Sequence, residues 1–312
     1  FLIGCAAGPA VVDAAVARLA GPAGPLALVE DRVMWRGREA LAAEARVRGE
    51  RSAELRARLE APARWLKRVP YLRMTALTGS LAMDHASRDH DVDLLCVAAP
   101  GRVWLVVSGM RVAHWLCRWR GGVDLCPNCV LDASDLAVRH ENLYMAHQLA
   151  HLLPVAGGDA RALLQAANPW VARFLPNAFA VTGPEDARSA PGGGTGRSWL
   201  EALCPAWLAA TVEQRLHRRG WQRALRFYGG THPEPVIAEA RHARRYMMPG
   251  LGYGPSVYRR FVEGHAGLAG RVDPEELPAA FGGDPAELAR VDPRLDRALS
   301  SRYASPAAGA AG

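Results

Sequence analysis

Apolar residues recur at helical spacing over residues 11–19, and Gly21-Pro22 closes that segment. Two short apolar runs, 26–29 and 33–35, flank Glu30-Asp31-Arg32 and predict a hairpin. A charged helical stretch follows from Arg38 to about Val69. Its broken apolar stripe runs through Leu41, Ala45, Leu55, Leu59 and Leu66, with Gly49 a candidate interruption.

The pattern then changes character. Residues 73–79 alternate like a strand, 80–86 suit a short helix, and 91–98 form a second, nearly continuous apolar strand. Pro100-Gly101 precedes a predicted helix from Val103 to about Arg118. After Gly121-Gly122 come a short strand at 123–126, the apolar pair Val130-Leu131, and a helix over about 136–153. Strand, helix, strand, helix, strand is an α/β order. The remainder reads as mostly helical, with candidates at 162–175 and 199–227. A Gly-, Pro- and Ser-rich loop at 182–198 separates them, and the Ala/Gly tail from Ser305 is expected to be disordered. The predicted organisation is a helix-hairpin module with a linking helix at 1–67, an α/β core at 68–155, a helical region at 156–304 and a tail at 305–312.

Composition adds limits. Half of the 312 residues are hydrophobic and 22% are charged, which suits a globular protein with a sizeable core. The formal charge of +7 is compatible with nucleotide or nucleic-acid partners. Lys67 is the only lysine, however, so the arginine excess reads as the coding bias of a GC-rich genome. Six sparse cysteines, with Cys96 and Cys117 in apolar stretches, argue against a disulfide framework. Phe1-Leu-Ile-Gly-Cys5 lacks the basic region and apolar run of a lipoprotein signal. The most apolar helix candidate, 103–117, is too short to span a bilayer. A cytoplasmic protein is expected.

The chemistry concentrates in Gly79-Ser80, ten further residues, then Asp91-Val92-Asp93. A strand ending in glycine lets backbone approach a ligand closely. Ser80 would open a helix whose free N–H groups and dipole favour phosphate. Alternation places Asp91 and Asp93 on one face, roughly 6–7 Å apart, where both carboxylates can converge on hard cations. Magnesium needs few protein ligands, because water and phosphate oxygens complete its shell.

These residues resemble the nucleotidyltransferase superfamily that includes DNA polymerase beta and the minimal nucleotidyltransferases. The shared features are Gly-Ser, a gap of about this length, and Asp-hydrophobic-Asp followed by hydrophobics, here Leu94 and Leu95. The resemblance is good over residues 72–97 and extends to about 155, and it implies an α/β (α+β) fold whose core is a small mixed sheet. It implies a metal-dependent transfer of a nucleoside monophosphate from an NTP, ATP among the candidates, to an acceptor hydroxyl, with pyrophosphate leaving. It also implies two magnesium ions, with manganese as an alternative. Asp91 and Asp93 would hold the metal on the triphosphate. Asp93 and Asp124 would hold the one that lowers the acceptor's pKa, with Asp124 a candidate base.

Asp124, in Gly122-Val123-Asp124-Leu125, is the expected third carboxylate. Asp132 and Glu141 are its substitutes. Gly79, Ser80 and Arg88 are the expected nucleotide-binding residues, with Arg73 a further triphosphate candidate. The chain departs from the minimal members at Asp84, where they carry glycine, and at His90, where they carry serine. The acceptor class stays open among small molecule, protein and nucleic acid. The competing reading is a catalytically inactive member acting as a nucleic-acid-binding or regulatory module.

Other features carry weaker signals. Cys126-Pro-Asn-Cys129 has metal or redox spacing but lacks a second Cys/His pair, so a tight turn between strands is expected. His140, His147 and His151 read as a partly exposed helical face, and the stripe from Trp104 to Trp119 as core packing. The N-terminal helix, hairpin and long helix resemble the end of a winged-helix domain, which would offer a nucleic-acid contact. Residues 241–261, rich in Arg and Tyr, could stack bases and neutralise phosphates.

Overall fold

Residues 92–98 form the apolar centre round which the sheet is built. The computed structural model describes residues 7–86, 91–120, 122–138, 141, 143–157, 160–178, 199–230, 237–238 and 240–247. Seven strands occur among them: β1 (Leu26–Val29), β2 (Arg32–Trp35), β3 (Leu72–Leu77), β4 (Val92–Ala98), β5 (Leu125–Asp132), β6 (Leu153–Ala156) and β7 (Arg245–Met247). The helices are α1 (Pro9–Leu19), α2 (Ala40–Leu66), α3 (Gly79–Ala82), α4 (Val103–Trp119), α5 (Leu143–Ala150), α6 (Ala160–Ala167), α7 (Val171–Phe174), α8 (Trp199–Leu203) and α9 (Ala206–Tyr228).

β1 and β2 pair only with each other, while the main sheet has the order β6-β3-β4-β5-β7. Its one parallel pair is β4 with β5, joined by α4 as a crossover helix. The other neighbours are antiparallel. The fold is therefore α+β with a mixed sheet, in keeping with the class expected from the sequence.

Both faces of the sheet are covered, which is why β4 reads as an apolar run instead of an alternating one. Val92, Leu94, Cys96 and Ala98 pack with Leu59 and Leu66 of α2 and with Val103, Val106, Val107 and Met110 of α4. Leu95 and Val97 face the other way, against Leu143, Ala146 and Leu149 of α5 and Val171 of α7. Asp93 alternates onto this second face, so an ionisable side chain stands in a strand otherwise fit for a core.

Polar groups fix how the helices dock. Glu213 of α9 accepts from the Trp104 and Leu105 N–H groups at 2.8 Å each, closing the first turn of α4. A Cβ on Gly220 would fall 2.0 Å from the Trp104 ring, so glycine lets α9 lie on that indole. Asn168 is fully buried and saturated. Its Oδ1 accepts from Val138 N–H and Trp170 Nε1–H, and its Nδ2 donates to Leu136 and Leu164 carbonyls.

Several expected elements change. α2 runs through Gly49 unbroken and carries a buried Pro62. The expected helix at 136–153 shortens to α5 and releases β6, which pairs with β3. Cys126-Pro127-Asn128-Cys129 is no turn: it lies within β5, where a bulge sets Pro127 and Cys129 against the successive residues Leu94 and Leu95. Helix 162–175 is divided around Asn168-Pro169, and helix 199–227 at Pro205. The Trp stripe splits too: Trp104 is buried, but Trp115 and Trp119 are 63% and 73% exposed and stack on each other. No helix among the described residues is long and apolar enough to cross a membrane.

Candidate active site

The chain leaves β3 through Thr78 and turns sharply at Gly79, whose φ is +69°. Only glycine takes that conformation without strain, and here the lack of a side chain has a second effect. A Cβ at Gly79 would lie 2.6 Å from Oδ2 of Asp93. The turn thus rests directly on the carboxylate. The Gly79 N–H donates to Gln148 Oε1 of α5 at 3.0 Å, and Thr78 N–H donates to the Asp93 carbonyl.

The segment after α3 is tied back to α2. Ala86 N–H donates to the buried Ser52 hydroxyl, which itself donates to the Arg48 carbonyl. Asp84, at φ +55°, lies 2.5 Å from Arg56 of α2. That partner draws the extra carboxylate toward the helix.

Asp91 and Asp93 converge with Cys126, whose Sγ and the two carboxylates offer donor atoms within 4.8 Å of one another. The strand register explains the trio: β5 runs parallel to β4, and Cys126 is the in-register neighbour of Asp93. Among the described residues no cationic side chain lies within ion-pair distance of either aspartate. Burial, and then the Asp91 charge, push the Asp93 carboxyl up to about 7. Burial, the Asp93 and Asp91 charges and a hydrogen bond to Asp91 raise the Cys126 thiol far above its usual range. The thiol therefore stays protonated and serves Asp91 as a donor.

Asp124 sits where the sequence reading puts it along the backbone but not by side chain. Its carbonyl accepts from Val92 N–H at 2.6 Å, so the two strand starts are neighbours. Its carboxylate, however, is outside the trio and lies 3.4 Å from Arg118 at the end of α4. Neither substitute replaces it. Asp132 is buried at the far end of β5, accepting from Gly101 N–H and from the Ser134 N–H and hydroxyl. Glu141 pairs with Arg173.

Arg73 also departs from expectation. Its guanidinium takes both oxygens of Glu201 in α8, at 3.0 and 2.7 Å, which ties β3 to the C-terminal region instead of serving a triphosphate. Arg88 and His90, like His140, the 182–198 loop and the 305–312 tail, lie outside the described residues. The Arg- and Tyr-rich stretch is described only to Met247. There Arg241, Arg245 and Tyr246 are buried, with Arg241 over the Tyr246 ring and Arg245 paired to Asp135. That part is edge-strand architecture and not a base-stacking surface. His147 and His151 do share a face, with ring centroids 5.6 Å apart.

Two participants were not expected beside the aspartates, although Cys126 stood out as part of a Cys-x-x-Cys spacing. Cys126 could have been found by continuing the alternation of the acid strand onto its parallel neighbour. Gln148 carries no local signal, since its role arises only when α5 folds over the turn. Compared with known protein families, curated proteins and solved structures, the chain matches none of them.

Proposed function

We propose that this chain is a divalent-cation-dependent nucleotidyltransferase of the superfamily its Gly-Ser and Asp-x-Asp residues resemble. One observation carries the reading: a glycine turn lies against the carboxylate of a close aspartate pair that, among the described residues, has no cationic side chain to balance it. Two such carboxylates, one of them half-buried, are costly to keep ionised together and favour a cation as partner.

The residues fit a hard ion through oxygen. Asp91 and Asp93 would hold it, and the phosphates of an NTP with water would complete its shell. When bound, such an ion offsets phosphate charge and lowers the pKa of an acceptor hydroxyl. Gly79 lets the backbone turn approach the Asp93 carboxylate closely, and Ser80 lies at the same turn. The protonated Cys126 orients Asp91. It is an unsuitable ligand for magnesium, so this geometry supports one two-carboxylate site and not the pair of ions in the full superfamily pattern.

The second reading, an inactive member with a binding or regulatory role, is favoured by one feature. The third position of the cluster is a thiol while Asp124 is held by Arg118. One experiment separates them. The full chain is incubated with each NTP and Mg²⁺ or Mn²⁺, and pyrophosphate and nucleotidylated products are followed by mass spectrometry. Turnover lost in Asp93→Asn supports the enzyme. Tight metal binding without turnover by any NTP supports the inactive member.

A further inference from the structure

A second concave site lies on the opposite side of the sheet from Asp93, between the C-terminal end of α2 and the outer side of α4. Gly109 brings α4 against Val69 at one end, where a Cβ would come within 2.8 Å of that side chain. Beyond this contact the helices part into a groove of about 500 Å³. That volume is within the range of small-molecule sites.

Its lining is chemically one-sided. Pro62, Val112 and Leu116 contribute to an apolar floor, and Trp65, 45% exposed, forms a wall. Every charged side chain in the lining is an arginine, namely Arg58, Arg68 and Arg120, and no acid, hydroxyl or amide side chain is present. None of the three has a carboxylate within ion-pair distance among the described residues, although other arginines of this chain are paired.

Two of these cations lie against one ring. The guanidinium carbons of Arg68 and Arg120 lie 4.8 and 5.0 Å from the centroid of the same Trp65 ring. Both charges therefore fall within about 10 Å of each other, a distance over which repulsion is incompletely screened at ordinary salt. The ring attracts each through its π face but supplies no negative charge. An anion at the rim would offset that repulsion and accept from a guanidinium fork.

We propose that this groove binds a soluble amphipathic organic anion. The apolar body, of the size of a medium-length acyl chain, lies on Pro62, Val112 and Leu116, and the carboxylate or phosphate head meets Arg68 and Arg120. A floor without hydroxyl or amide side chains disfavours sugars, and the all-cationic rim disfavours amines. The site is independent of Asp91 and Asp93.

The test is calorimetric titration of the full chain with decanoate, decanol and decyltrimethylammonium, each below its aggregation concentration, and with a short oligothymidylate. Decanoate should bind at one site, at least about tenfold more tightly than decanol, with no binding of the ammonium compound. Arg68→Glu should weaken decanoate at least about tenfold. Ala61→Trp should abolish it, because an indole from that exposed position of α2 fills the groove without touching the core. Circular dichroism checks that both variants fold. Equal affinity for decanol and decanoate overturns the proposal, as does oligothymidylate binding that shares the Arg68 and Ala61 sensitivity. Undetectable decanoate binding overturns it too, and these readouts on the native chain do not depend on any variant folding.

Discussion

The carboxylate of Asp124 lies 3.4 Å from the guanidinium of Arg118, although its backbone borders the start of the acid strand. That pair is largely solvated, with side-chain exposures of 45% and 63%, so it contributes little to stability. The Asp124 carboxylate nevertheless stands apart from the Asp91, Asp93 and Cys126 cluster. Asp93→Asn should reduce metal-dependent pyrophosphate release by at least about a hundredfold, whereas Asp124→Asn should cost less than about fivefold. Steady-state rates of both variants check this. A hundredfold loss in Asp124→Asn would return that residue to the ligand set and show that Arg118 releases it during turnover.

Gly79→Ala meets two penalties at once. A φ of +69° costs an L-residue about 1–2 kcal/mol, and the new methyl would crowd Oδ2 of Asp93. Urea unfolding should show a loss of at least that size. Mg²⁺ affinity, read by titration on the folded variant, should fall as Asp93 is displaced. An unchanged unfolding midpoint would contradict the close approach of turn and carboxylate.

Asp93 should make the metal-free protein less stable as pH rises. Its folded pKa of about 7 exceeds that of an unfolded aspartate, so the folded state binds this proton more tightly. The favourable contribution is full below about pH 4 and is lost as pH rises through about 7. The loss is on the order of a few kcal/mol. Melting temperatures across that window should fall for the native chain, and Asp93→Asn should flatten the slope. A slope identical in the variant would remove Asp93 as its source.

Asn168→Ala should be among the most destabilising single changes. It leaves the buried Val138 N–H, Trp170 Nε1–H and two carbonyls without partners, at about 1–3 kcal/mol for each unsatisfied group and less than additively. A loss of at least about 3 kcal/mol in denaturant titration is expected. A change below 1 kcal/mol would mean that water replaces the amide.

The parts of this fold legible in the sequence are those set by local period. The apolar run of β4, the helix of α4 and the hairpin of β1 and β2 appear where the pattern puts them, because burial there follows immediate neighbours. β6 and β7 were not legible, since four or three residues of ordinary composition become strands only when β3 and β5 offer open edges. The stripe on α4 misled because Trp115 and Trp119 share helical spacing with Trp104 but not its neighbour Gly220. For the candidate site, Gly79, Ser80, Asp91 and Asp93 were readable because turn and strand geometry act within fifteen residues. The side-chain direction of Asp124 depends on Arg118, and Gln148 and Arg73 depend on α5 and α8, so pairwise tertiary contacts overrode the local reading.

β7 reaches β5 only after more than a hundred intervening residues. During synthesis, β3 to β6 leave the ribosome while the outer edge of β5, with its unpaired amides, waits for residues 245–247. Chain release at 155 would therefore yield a sheet with an open, adhesive margin. In the finished molecule residues 245–247 cover Cys129 to Leu131 of that margin.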